Sequence, residues 1–349
     1  MSAAPPRRRL PAEWEPQALI QLTWPPPDGD WGELRGAAEA ALLELARAVV
    51  ARQPLLVVTP DEPTGEWLRG AVSEAIGPDG RCTTCVLPAN DIWARDHAPL
   101  TVMTPQGPMA LDWRFNGWAG RHPAERDDAI GRGLEAAAAL PVQTLKRLDV
   151  VLEGGAIDSD GAGSLLTTRR CLLHPGRNPG MSESDWEELL RREMGIRRVL
   201  WLDHGALDGD DTDGHVDMLA RFTDPDTIVW QACDDPSDPH HTECAALGEE
   251  LAGMRRADGA PYQRVALPWP GRIVADDGHR CPATYANFLI INGAVLVPAY
   301  GVANDGVARQ RLQALFPERE VVSIDARALI THGGALHCAA MQYPAPATA

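Results

Sequence analysis

Five side chains that could act together on a carbon bonded to nitrogen stand beside glycines or near the ends of apolar runs. They are Asp96 in NDIWARDHAP, Glu153 in VLEGGAID, His215 and Asp217 in DDTDGHVD, and Cys338 in HGGALHC. A thiolate is a nucleophile, an imidazole moves protons near neutral pH, and carboxylates accept hydrogen bonds from a planar cation with several N–H donors. The set suits attack by Cys338 on the carbon of a guanidinium held by carboxylates, with His215 carrying protons. Taken singly, each residue has a plainer reading. Cys338 could be a core thiol, His215 a hydrogen-bonded loop histidine, Glu153 a strand-end turn residue, Asp96 the ion-pair partner of Arg95, and Trp93 a packing residue.

Spacing links these residues. Asp96 and Glu153 are 57 residues apart, Glu153 and His215 are 62 apart, and His215 and Cys338 are 123 apart, near twice the same step. A repeat of about 60 residues brings equivalent strand ends to one axis in a radial architecture. It predicts a further lining unit near position 277, with Asp276, Asp277 and Tyr285 as candidates.

The elements that must hold these residues read as a mixture of helices and short strands. The alanine- and leucine-rich stretch 33–52 predicts a core helix leading to a buried strand at 55–58. A second helix is expected over 64–76 and a third from Ser182, where a capping residue, early acids and later arginines suit the helix dipole. Strands are expected at 100–103, 164–168, 227–232, 287–291 and 294–298. The last two are joined by Asn292-Gly293, a pair that tolerates the positive φ of a tight hairpin. Trp24–Pro27 and Asp234–His241 read as surface loops. No low-complexity linker divides the chain, so residues 1–349 are expected to form one catalytic domain with 1–9 disordered.

Composition narrows the partners. Thirty-two Lys and Arg against 49 Asp and Glu give a formal charge of −17. That balance repels nucleic acid and anionic membranes and suits a small cationic substrate, although acidic composition also serves solubility alone. The start, MSAAPPRRRL, has no apolar run after its arginines, so neither a signal peptide nor a membrane anchor is expected, and the protein should be cytoplasmic. Seven cysteines, an odd number, suggest free thiols. Cys82 and Cys85 form a C-x-x-C, and His240, His241 and Cys244 lie close together, but neither group has the second half of a tetrahedral zinc site. No metal and no cofactor are therefore expected. A homo-oligomer is compatible with the sequence.

The order of motifs resembles the agmatine deiminase and bacterial, Porphyromonas-type, peptidylarginine deiminase family. The resemblance runs through LPAEWEPQALIQLTWP, NDIWARDHAP, LDWRFNGWAG, LEGGAID, LLTTRRCLLHPGRNPG, TDGHVDMLARF, YANFLIINGAVLVPAYG and GGALHC. It implies an α/β fold of pentein type, a five-bladed propeller of ββαβ units with pseudo-fivefold symmetry around one central site. It further implies Cys338 as nucleophile, His215 as general acid and base, and Asp96 and Asp217 as guanidinium clamps. Glu153 would be the remaining carboxylate, and Trp93 an aromatic residue beside the substrate. The chain departs from the family pattern at Met218, where a polar residue is usual, at Ala98 in place of glycine, and at Ala339 and Ala340. Met218 would then line the pocket, and these changes bear on substrate choice more than on chemistry. Agmatine leads as the substrate, with N-carbamoylputrescine and ammonia as products. Arginine, a peptidyl arginine or another guanidino compound is the enzyme alternative, with Arg114, Arg121 and Arg272 as candidate carboxylate partners. A non-catalytic pentein that binds a partner is the other class.

Overall fold

The computed structural model describes residues 8–76 and 81–346, which form five small sheets. In chain order the strands are β1 (Gln17–Thr23), β2 (Leu55–Thr59), β3 (Cys82–Val86), β4 (Leu100–Thr104), β5 (Gly107–Arg114) and β6 (Thr144–Val151). There follow β7 (Ile157–Ser159), β8 (Ser164–Thr168), β9 (Arg198–Leu202), β10 (Ala220–Asp224), β11 (Thr227–Gln231) and β12 (Gln263–Leu267). The last four are β13 (Leu289–Ile291), β14 (Ala294–Ala299), β15 (Glu320–Asp325) and β16 (Ala340–Pro344). The crossover helices are α1 (Arg35–Val50), α2 (Glu62–Ile76), α3 (Asp127–Ala136), α4 (Glu183–Met194), α5 (His240–Gly253) and α6 (Asn304–Leu315).

Four sheets share one pattern: two strands pair antiparallel, a helix crosses over, and a third strand pairs parallel with the second. That is a ββαβ unit. Its middle strand is paired on both sides, and all five residues of β8 are buried. This is expected of a strand paired on both edges. The remaining sheet has the order β16-β1-β2-β3. The last strand of the chain is its outer antiparallel strand, pairing Leu22 with Ala340 and Gln21 with Met341. The two ends of the chain thus close in one sheet, the fifth of the α/β fold.

Local sequence accounts for several elements. Helix α1 buries Ala38, Ala41, Leu42, Leu45, Ala46, Val49 and Val50, a stripe at helical spacing. Helix α4 starts with a capping box between Ser182 and Asp185 and ends on Gly195 at φ 73°. Gly293, at φ 75°, turns the β13–β14 hairpin so that Ile291 faces Ala294.

Three expectations need correction. Residues 1–7 lie outside the described residues, but Arg8 and Arg9, grouped with them as disordered, are held in place. Arg9 exchanges backbone hydrogen bonds of 3.0 and 2.8 Å with Met103, and Arg8 pairs with Glu193. Trp24, Pro25 and Pro26 are buried, because the Trp24 ring packs edge-on against Trp67 of α2 at 5.8 Å and the Pro25 and Pro26 carbonyls accept from Arg35 of α1. His240 and His241 open helix α5 instead of ending a loop. Among the described residues no helix is long and apolar enough to cross a membrane.

Candidate active site

The predicted residues converge because they occupy the same place in successive units. Each lies in the linker between the last strand of one sheet and the first strand of the next. Asp96 precedes β4, Glu153 precedes β7, His215 and Asp217 precede β10, and Cys338 precedes β16. The fifth linker, before β13, contributes Asn287. This corrects the expected lining near position 277. Asp276 and Asp277 are exposed, and Asp277 pairs with its neighbour His279. The hydroxyl of Tyr285 donates to Asp305 at 2.7 Å, away from the site. The unit between β11 and β13 is longer than its counterparts, so the lining residue falls later than a uniform step predicts.

Cys338 is buried, and its sulfur lies 3.5 Å from Asp217 Oδ2 and 3.9 Å from Met218 Sδ. Asn287 holds this corner. Its amide nitrogen donates to Cys338 Sγ at 3.0 Å and to Asp217 Oδ2 at 3.2 Å, and lies 3.2 Å from Met218 Sδ. Its carbonyl oxygen accepts from the backbone N–H groups of His337 and Cys338 at 3.0 and 3.2 Å, which sets the amide's orientation. Burial first, then the charges of Asp217 and Asp96, push the Cys338 thiol well above its usual range. Trp93 stands beside the same sulfur-bearing residue. A Cβ added to Gly334 would lie 2.5 Å from its ring and 3.0 Å from Cys338 Cβ, so only glycine fits between them.

On the opposite side, Asp96 sits in a single helical turn, Ala94–His97. Its Oδ1 accepts the Gly155 N–H and its Oδ2 the Trp118 indole N–H, both at 2.9 Å. His215 Nδ1 is 3.6 Å from Asp96 Oδ1. Burial works against an imidazolium here, but the charge of Asp96 and its neighbours outweighs it and holds His215 well above its ordinary value. Both ring nitrogens of His215, and Asp217 Oδ1, are buried without a hydrogen-bond partner among the described residues. Gly155 explains the glycine pair in LEGG. A Cβ there would meet His215 Nδ1 at 2.6 Å, Asp96 Oδ1 at 2.8 Å and Asp217 Oδ1 at 3.2 Å, so three functional side chains converge where this residue has no side chain.

Glu153 is placed differently from the other carboxylates. Its two oxygens accept from Arg177 Nε at 2.8 and 2.9 Å, and Arg177 also donates to Asp213 at 2.6 Å and to the Thr212 carbonyl at 2.9 Å. The ligand atoms of Glu153, Cys171 and His215 lie within 4.8 Å of one another, the residue types and spacing of a metal site. Arg177, however, engages Glu153 and sets a cation where a metal would need uncompensated negative charge. The other suspected metal groups have structural partners. Cys82 and Cys85 are three apart on β3, so their side chains point to opposite faces. His240 lies 2.9 Å from Asp238 and accepts the Asp208 N–H at 2.8 Å.

Arg121 sits at the rim of the site, but its donors go to Asp213 at 2.6 and 2.8 Å and to the carbonyls of Trp118 and Asp211. Arg114 is exposed near Asp149, and Arg272 is exposed. Four residues absent from the sequence reading therefore belong to the site: Asn287, Trp118, Arg177 and His337. Each lies within a motif of the family resemblance, and Asn287 carries a further signal. It stands two residues before its strand, as Cys338 does. The arrangement presents an imidazole and two carboxylates to one buried point, with a thiol against one of those carboxylates, which suits capture and attack of a planar cation.

Comparison with known proteins agrees with that chemistry. The family described as Porphyromonas-type peptidyl-arginine deiminase matches residues 9–344. Agmatine deiminase of Stutzerimonas stutzeri is 33% identical over 363 residues, covering 97% of this chain and 95% of that protein. A crystal structure from Porphyromonas gingivalis is 45% identical, with a TM-score of 0.89, covering 97% and 98% of the two chains. A cysteine-to-serine variant of C. jejuni agmatine deiminase with substrate bound is 29% identical, with a TM-score of 0.87 and 97% coverage of each chain. The chain is therefore a C–N bond hydrolase of pentein fold that belongs to the Porphyromonas-type peptidyl-arginine deiminase family.

Proposed function

We propose that residues 1–349 act as one cofactor-free catalytic domain in the cytoplasm, hydrolysing the guanidinium of agmatine to N-carbamoylputrescine and ammonia. The observation that carries this reading is the convergence of His215, Asp96 and Asp217 on the space beside Gly155, with the Cys338 sulfur 3.5 Å from the other oxygen of Asp217. The likeness to agmatine deiminases over 97% of the chain supports the choice of substrate. So does the engagement of both terminal nitrogens of Arg121 by Asp213, which competes with the α-carboxylate that agmatine lacks.

In this mechanism the guanidinium enters between Asp96 and Asp217, which accept its N–H groups, while Trp93 and Met218 line its path. The arriving cation favours ionisation of Cys338, whose thiol burial and carboxylates otherwise keep protonated, and the proton passes to solvent. The thiolate attacks the guanidinium carbon, forming a C–S bond. His215 gives its proton to one terminal nitrogen, the C–N bond breaks, and ammonia leaves a covalent thiouronium. Neutral His215 then takes a proton from water, and the hydroxide adds to the same carbon. Collapse breaks the C–S bond, expels the thiolate, and releases the ureido product with one proton. Glu153, fixed by Arg177, acts in this scheme by supplying negative charge near His215.

The step needs Cys338 ionised and His215 protonated, and both groups are held above their ordinary values. A raised thiol moves the ascending limb of kcat/KM to higher pH, and a raised imidazolium keeps the acid available there. The optimum is therefore expected on the alkaline side of neutral, and an optimum below pH 6 would contradict the assignment.

The test is to measure ammonia and ureido product from agmatine, arginine, methylated arginine and an arginyl peptide with the wild-type chain and Cys338→Ala. Agmatine is expected to react fastest, and only with Cys338 present. A folded wild-type chain that releases ammonia from none of these compounds would refute the reading.

A further inference from the structure

We propose that His337 is a positioning residue for the guanidinium clamp: held between Asp217 and Glu13, it ties down one oxygen of Asp217 and leaves the other, Oδ1, for the substrate. This inference rests on the clamp role given to Asp217 above.

His337 is buried, with Nδ1 2.7 Å from Asp217 Oδ2 and Nε2 2.7 Å from Glu13 Oε2. Glu13 is itself immobilised. Its Oε1 accepts the Ile290 N–H at 2.6 Å, and its Oε2 accepts from Arg221 at 2.6 Å as well as from His337. Arg221, fully buried, is held in turn by Asp158 at 3.0 Å and the Phe288 carbonyl at 2.9 Å, with its guanidinium 4.9 Å from the Phe288 ring centroid. The backbone of His337 is also fixed, its N–H by Asn287 and its carbonyl by Arg95 at 3.2 Å.

Burial opposes ionisation of both Glu13 and Asp217. Arg221 and His337 outweigh it at Glu13, and the hydrogen bond and charge of His337 do so at Asp217, so both carboxyls stay below their usual range. An ionised carboxylate only accepts hydrogen bonds.

The consequence for the site is an asymmetry within one carboxylate. Asp217 Oδ2 receives His337 Nδ1, Asn287 Nδ2 and the Cys338 thiol. Asp217 Oδ1 is buried with no partner among the described residues. It lies 3.2 Å from the point beside Gly155 that His215 and Asp96 also face. A carboxylate anchored through one oxygen by a charge-assisted bond cannot rotate without breaking that bond, so the free oxygen is preset for a substrate N–H.

Two conservative variants separate this role from simple anchoring of the segment that carries Glu13. The amide nitrogen of asparagine falls near the position of histidine Nδ1, and that of glutamine near Nε2. His337→Asn therefore keeps the donor to Asp217, whereas His337→Gln keeps the donor to Glu13. Both would be made in a Cys338→Ser parent, and the Kd for agmatine measured by calorimetry together with the unfolding temperature. We expect His337→Asn to bind within about 3-fold of the parent and His337→Gln to bind roughly 10- to 100-fold more weakly, the range for losing a buried charge-assisted bond. Unfolding temperatures should order the other way. If His337→Gln binds as well as His337→Asn, or if affinity tracks unfolding temperature across the pair, the inference falls. If the folded parent binds no agmatine, the proposed function fails and this inference fails with it.

Discussion

Two groups of buried charged side chains lie side by side in this protein and are finished differently. In one, Arg177 joins Glu153 to Asp213, and Arg221 joins Glu13 to Asp158, so that each cation meets carboxylates at 2.6 to 3.0 Å. In the other, the His215 ring nitrogens and Asp217 Oδ1 have no hydrogen-bond partner among the described residues, and Cys338 faces two carboxylates as a thiol. Unsatisfied buried polar groups cost stability and are rare. The first group is built to stay as it is. The second is complementary to something that arrives with N–H donors and positive charge. Residue type alone does not separate them, since Glu153 and Asp217 are both buried carboxylates in equivalent linkers.

The contrast predicts opposite outcomes on the two sides. Cys338→Ala should reduce agmatine hydrolysis by about 10⁴-fold or more, the scale for losing a nucleophile, with the unfolding temperature unchanged or raised. Equal losses of activity and stability would erase the distinction. Arg177→Met should do the reverse first. It leaves Glu153 buried without its cation, and Asp213 with Arg121 alone, and should cost about 3–5 kcal/mol of stability in denaturant titration. A change below about 1 kcal/mol would mean that this network does not hold the site.

Gly155→Ala tests the meeting point itself. Its Cβ would press on His215, Asp96 and Asp217 together, so kcat/KM should fall by about 100-fold, the effect of an ångström-scale misplacement. Activity near the wild-type level would show that these three side chains have room to spare. The smallest effect is expected at the rim. Arg121→Ala removes a partly exposed pair with Asp213 and should change stability by no more than about 1 kcal/mol. If it instead abolished turnover of arginine or an arginyl peptide while sparing agmatine, Arg121 would be a carboxylate partner after all.

The chemically distinctive residues could be read from sequence because thiol, imidazole and carboxylate types declare their chemistry and recur at a near-regular interval. Elements with strong local signals were legible for the same reason: the Ala/Leu stripe of α1, the Ser182 cap of α4 and the Asn292-Gly293 turn. Asn287 was not, because an amide has no titration or nucleophilicity to mark it, and the longer unit before β13 displaced it from the expected position. Arg177 reads in sequence as an ordinary surface arginine among RRCLLHPGR, and only the tertiary fold encloses it between two carboxylates. The closure of β1 with β16 joins residues more than 300 apart, and local patterning carries no trace of such a pairing.

The central claim is that the sulfur of Cys338 bonds to the guanidinium carbon, and it can be observed directly. The wild-type chain is mixed with agmatine, quenched in acid during turnover, digested and weighed by mass spectrometry. The account predicts an adduct equal to agmatine less ammonia on the peptide that contains Cys338, absent in Cys338→Ala. Turnover of agmatine at the same rate by Cys338→Ala, with no adduct in the wild type, would contradict it.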